Sequence, residues 1–322
     1  MVNQPTRPHW SQVRTDNDNV NLREHLVDYP PKGLGTEAKP FLVSSTNDFL
    51  RIGTGNWTMD SYYKQVADID FDGVDFTPVG HVAGSGYTAF TGSYDGNGHV
   101  ISNIEASFAG DSYIGLFARA SAATFTSIGV ENSYFQGGAA VGGILGRGEN
   151  SVTIKNCYVA STTVFGDRTA NTTVSTGGIC GLLSDSTMSE TYFHGVVNTG
   201  LTNSIHTGGL IGLCRDTDVA DCWSSVTGTN NLNMPGLLFY DGGTITDCVW
   251  NADNTTTGLR DGGADMTITN TTGASTSTMY TLANYTVDNS RTWDFIDTWQ
   301  IIEDASYPYF QYRLAQSPAP AE

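Results

Sequence analysis

The chain has 322 residues, with 33 Asp and Glu against 15 Lys and Arg, a formal net charge of −18. Charged residues make up only 15% of it while glycines number 37; this excludes long surface helices, whose outer faces carry Lys and Glu, and favours an all-β chain with many tight turns. The acidic balance repels phosphate backbones and anionic membrane surfaces, and no basic stripe reverses it locally, so nucleic-acid binding is excluded. No apolar run is long enough to insert into a bilayer, and 14 Phe, 15 Tyr and 6 Trp set the chain apart from a disordered acidic tail.

In chain order, residues 1–38 have no clear period and read as an extended N-terminal docking arm. The first twenty lack an apolar signal core, which points away from classical secretion. Residues 39–100 read as an N-terminal cap. Within it SSTNDFLRIG (44–53) has a Ser/Thr/Asn cap before Phe49, Leu50 and Ile52, as a short helix does. YYKQVADIDFDG and FTGSYDGNGHVISNI then alternate apolar and polar residues around turn signals, as strands do.

Residues 101–250 contain an internal repeat. YIGLF, VGGIL, TGGIC, TGGLI and MPGLL place Gly115, Gly143, Gly178, Gly209 and Gly236 at steps of 28, 35, 31 and 27 residues. About ten residues after each glycine comes an apolar pair spaced by three: Phe125/Ile128, Ile154/Cys157, Met188/Thr191, Val219/Cys222 and Ile245/Cys248. Short apolar elements at fixed offsets, joined by polar loops of varying length, are what a β-solenoid requires, because one coil cannot bury its apolar face alone. The recurrent glycine serves either a positive-φ corner or a close approach between coils. Cys157, Cys222 and Cys248 share the slot of Ile128 and Thr191, so they read as small apolar residues of a stacked core. An odd count of five cysteines with no CxxC pair indicates reduced thiols. Stacked side chains on Cys222 and Cys248 point the same way, which disfavours a disulfide. Residues 251–314 read as a Thr/Asn-rich loop region followed by an aromatic cap, TWDFIDTWQIIEDASYPYFQY (292–312), over the last coil; 315–322 read as a disordered tail.

FTGSYDGNGHVISNI, YIGLF, VGGILG and GGLIG, with KNCY and ADCW following, resemble the GLUG-motif repeats of bacterial and viral surface proteins. The segments before and after them are similar to those that often flank such repeats, so the resemblance covers about residues 35–312. It implies a β-helical stalk or adhesive module in large extracellular proteins and virion appendages.

Candidate chemistry is sparse. Asp68, Asp70 and Asp72 before Gly73 match the front of a calcium loop, but Val79 stands where the bidentate Glu belongs; the other reading is an edge strand and a polar turn. Asp216, Asp218, Asp221 and Asp247 could supply a glycosidase pair, yet Asp221 and Asp247 directly precede core cysteines and read as solvated turn residues. His99 lies in the tight turn DGNGH, and His194 and His206 read as surface residues. Tyr158, Tyr192 and Trp223 follow the ladder slot and should stack in one row, either as an exposed face for a sugar or partner or buried against a neighbouring loop or subunit.

The sequence therefore predicts an all-β, right-handed parallel β-helix (β-solenoid) of about five coils with N- and C-terminal caps, without enzymatic activity and without a cofactor, calcium apart. The preferred function is a virion structural protein, a tail spike or fibre or a capsid-surface protein of a bacteriophage. It would assemble in the host cytoplasm, bind other virion proteins through residues 1–38, form a homo-oligomer and face host surface glycan. The alternatives are an extracellular, cell-surface adhesin binding glycans or matrix, and a polysaccharide-degrading β-helix enzyme.

Overall fold

The computed structural model describes residues 33–82, 86–167, 174–200, 206–228, 234–286, 291 and 293–315. The predicted pairs stack in register. Phe125 lies between Tyr94 and Ile154, Ile154 meets Met188, Met188 meets Val219, and Val219 meets Ile245. The column runs further than the repeat: Phe41 and Tyr63 precede Tyr94, and Ile268 follows Ile245. Three large sheets of 13, 10 and 4 strands carry such columns, and their strand pairs are parallel. The parallel β-solenoid thus begins inside the segment read as a cap, at Phe41–Val43, and its last rung is Leu259–Asp261, Thr267–Thr269 and Thr272–Ala274. Both additions escape the glycine repeat because neither rung contains that apolar glycine pentapeptide.

Each inward residue of the column from Tyr63 to Ile245 is at most 1% exposed, and burial of a side chain of this size contributes about 1.5–3 kcal/mol. Strands 4.7–4.9 Å apart leave no room for a Cβ at the recurrent glycines. A Cβ on Gly178 would meet Phe193 at 2.2 Å and the Gly209 carbonyl at 2.4 Å, and one on Gly209 would meet the Gly236 carbonyl at 1.9 Å. Close approach, not positive φ, is the reason for these glycines. The left-handed corners belong to other residues. One corner column is Ser127, Asn156, Glu190, Asp221, Asp247 and Asn270, with φ between 47° and 54° in all but Asp247 at 55°; short polar side chains tolerate this region best. The slot after it holds Ile128, Cys157, Thr191, Cys222 and Cys248, all at 0% exposure. All five cysteines are free and buried.

The predicted helix is Thr46–Leu50, with the Ser45 hydroxyl accepting from the Asp48 amide. It plugs the N-terminal end by setting Phe49 among Phe71, Phe76, Tyr94 and Phe117. The part of the docking arm at 1–32 lies outside the described residues. Residues 33–38 turn against the first rungs, where the Gly35 carbonyl accepts from the Tyr62 amide at 2.9 Å. Of the tail, 316–322 lie outside the described residues. Among the described residues no helix is long and apolar enough to cross a membrane.

The aromatic cap lies elsewhere than predicted. Tyr158, Tyr192 and Trp223 do stack, at 5.0 and 4.7 Å with rings 10° and 7° from parallel, but each is 0% exposed. The exposed-row reading is therefore corrected and the buried alternative holds: residues 276–286, 291 and 293–313 cover it as a strap along the side of the solenoid, not over its end. Phe310 and Trp299 pack on Tyr192, and Tyr307 stacks on Trp223. Arg313 sits 4.7 Å above the Tyr158 ring, donates to the Tyr192 hydroxyl and pairs with Glu131. The Tyr312 hydroxyl reaches back to the Asn156 carbonyl, and Trp293 donates to the Asp247 carbonyl. Among the described residues no strand pairs on the outer side of the last rung, and Ile268 is 48% exposed.

Two outcomes follow from this packing. Tyr192→Ala removes the middle of the stack and should cost about 3–5 kcal/mol; denaturant unfolding reads the loss, and limited proteolysis should cut first within 276–313. At the corner, burial and then the Asp247 and Glu190 carboxylates raise the Asp221 pKa to about 6, with Lys155 pulling the other way. A carboxyl raised by folding destabilises as pH climbs from its unfolded value near 4 through 6, and the full penalty stands above that. Partial exposure screens it to about 1 kcal/mol. Asp221→Asn should therefore raise Tm by about 2 °C at pH 7.5, a gain that shrinks below pH 5 in the same thermal melt.

Candidate functional site

The sequence-predicted aspartates flank the site without forming a cation cage. Ile69 and Phe71 point inward at 2% and 1% exposure, which turns Asp68, Asp70 and Asp72 outward, as alternation in a strand requires. Asp68 Oδ1 accepts from the Val100 amide and contacts His99 Nδ1, both at 3.0 Å. Asp70 Oδ1 accepts from Asn103 Nδ2 and from the Asp72 amide, both at 2.9 Å. The Asn103 bond, then the Asp72 amide, lower the Asp70 pKa. The carboxylates of Asp68 and Asp70 thus clasp the next rung instead of converging, and among the described residues no group of three or more His, Cys, Asp or Glu is placed to hold a metal.

The other carboxylate cluster also separates. Asp216 and Asp221 occupy different left-handed corners, and Asp218 lies in a strand, accepting from Thr244 Oγ1 at 2.6 Å. Asp221 and Asp247 stack on one corner as the turn residues the sequence predicts, but half-buried. His194 and His206 are half-buried rather than on the surface: burial lowers both, His206 to about 4 with Arg215 adding to the effect. On another face, Glu149 bridges Arg119 and Arg147, and Arg147 also donates to the Tyr113 hydroxyl. Against the pull of burial, the two guanidiniums hold Glu149 below the usual carboxylate range. The opposite charges of Glu149 and the two arginines neutralise each other there.

A concavity of about 930 Å³ lies beside the first aspartates. It forms where the chain leaves the solenoid after Ile69–Asp70. Residues 72–77 loop outward, so among the described residues the next rung's strand Glu105–Ser107 pairs only with Tyr134–Gly137. Phe71 and Phe76 anchor the loop, ring to ring at 5.2 Å, and Phe76 packs on Phe135. The floor is the left-handed corner Asn103, Asn132 and Ser161, with φ of 57°, 49° and 50°. Asp72 and Asp75 stand on one side and Glu105 and Tyr134 on the other. Burial, then Glu105 and Asp167, raise the Tyr134 pKa, so the phenol stays protonated. In the sequence Tyr134 is one aromatic among many; its half-buried place beside a groove follows only from the loop that bulges out ahead of it.

No family model matches the chain. It is 31% identical over 146 residues to halomucin of Haloquadratum walsbyi (strain DSM 16790 / HBSQ001), a match covering 42% of this chain and spanning about 2% of the length of that protein. Among solved structures it resembles a Bacteroides ovatus protein named for an immunoglobulin A1 protease, at 20% identity and a TM-score of 0.51, covering 87% of this chain and 94% of that one. It also resembles a chain named IgA1 protease, at 18% identity and a TM-score of 0.54, covering 71% of this chain and 19% of that one. Identities this low carry the fold: the predicted β-helix is shared with these chains. They also overturn the expectation of a chain without enzymatic activity, because solenoids of this form occur in proteins named as proteases.

Proposed function

We propose that the chain is a rigid solenoid module of a cell-surface or extracellular protein, with an adhesive role toward glycans or matrix. The observation that carries this reading is the halomucin match, at 31% identity over 146 residues. The geometry agrees with it. A column held in register from Phe41 to Ile268 makes a stiff body, a side strap seals its aromatic row, and the net charge of −18 keeps such a surface soluble and self-repelling. The virion reading, with residues 1–38 as its anchor, draws no support from the comparisons.

Biotinylation of intact source cells with a membrane-impermeant reagent, followed by mass spectrometry of envelope, supernatant, cytosol and gradient-purified particles, tests the proposal. Recovery of labelled peptides from the envelope or supernatant is the expected result. Recovery from cytosol alone, or in fixed proportion to the shell protein of particles, would overturn it.

A further inference from the structure

The groove beside residues 72–77 has the form of a binding site. Its floor repeats with the rungs: the Asn132 amide donates to the Ala160 carbonyl, and the Asn103 amide to the Glu131 carbonyl, so Asn103, Asn132 and Ser161 stand about 4.8 Å apart along the axis, a run of about 10 Å. An extended pyranose chain advances by nearly the same step per sugar. Each floor residue is exposed. Asn103 spends its amide nitrogen on Asp70, which leaves its carbonyl oxygen as an acceptor. The Asn132 side chain has no hydrogen-bond partner among the described residues, which leaves one donor group and one acceptor open.

The walls add the rest of what a sugar needs. Tyr134 is half-buried and its hydroxyl donates to Gln136 Oε1. Gln136 in turn accepts from Ser107 and donates to Asp167 Oδ2 at 2.8 Å. The ring is thereby held in place before any ligand arrives, which lowers the entropic cost of binding. Asp72, Asp75 and Glu105 offer carboxylate acceptors for hydroxyl groups, and the lining contains no Lys or Arg. Polyanions are therefore repelled.

We propose that this groove binds a neutral oligosaccharide, two to three pyranose residues laid along the solenoid axis over Asn103, Asn132 and Ser161 with one ring against Tyr134. The proposal rests on the surface-adhesion reading and gives it a site and a ligand class.

Titration of the full chain by isothermal calorimetry and ligand-observed NMR, with cellotetraose, N-acetylchitotetraose and mannotetraose as probes, tests it. A heparin tetrasaccharide and a lysine–alanine hexapeptide serve as contrasts. At least one neutral tetrasaccharide should bind saturably. Tyr134→Ala and Asn132→Gly should each weaken that binding about tenfold or more while leaving Tm and the far-ultraviolet spectrum unchanged; glycine retains the left-handed corner. Absence of neutral-sugar binding at about 20 mM, binding that survives both substitutions, or preference for heparin or the peptide would overturn the proposal. Surface labelling of a chain that ignores sugars removes the groove alone. Sugar binding by a chain confined to the cytosol removes the surface reading alone.

Discussion

Everything in this molecule depends on one column of side chains stacking in register, from Phe41 through Phe125 to Ile268. In a parallel solenoid a rung has little cohesion of its own, and its backbone bonds and its apolar contacts both point to neighbours. A slip by one residue would turn every core side chain outward. The register is protected by the corners, where Asn156, Asp221, Asp247 and Asn270 each hold a left-handed backbone in the same place on successive turns. The corner fixes where the strand restarts, and the slot after it, Cys157 or Cys222 for example, is then always inward.

The same stacking sets a cost for polar residues. An acid in a half-buried corner loses hydration and, repeated on adjacent rungs, also meets its own kind within about one strand spacing; burial first and this repulsion second raise the Asp221 pKa although it sits in a sound turn. Where opposite charges fall on neighbouring rungs, as with Arg119 and Glu149, the ladder stabilises itself instead. Both effects come from geometry that a linear sequence shows only as a period of about thirty residues.

That period made the central fold legible. Gly178 and Gly209 marked the repeat, leaving corner or close approach open until the structure chose the latter, and the apolar residues ten positions on marked the core. The end rungs were not legible, because Phe41, Tyr63 and Ile268 stack in the same column without a glycine pentapeptide ahead of them. The strap was misplaced for a different reason: Arg313 and Tyr312 make their contacts with Glu131 and Asn156, more than 150 residues away, and nothing local marks such a partner. The aromatic row itself could be read, but whether it was covered depended on that distant segment. The groove was invisible because it arises from an omission, a rung that departs at residue 72 and leaves the strand Glu105–Ser107 without a neighbour on one side.

Regular rungs and irregular ones therefore have different capacities. Along the regular part, inward positions are fixed by packing and the Tyr158 to Trp223 row is spent on holding the strap. A flat repeating surface of this kind gives a ligand few enclosed contacts. Enclosure needs a break in the repeat, and the loop at 72–77 supplies one while Phe71 and Phe76 anchor it to the core. The solenoid contributes the spacing of the floor, and the departure from it contributes the walls. A site of this origin can change its specificity through the exposed residues Asp72, Val74 and Asp75 without disturbing a single core contact, whereas any change to the rung spacing would disturb them all.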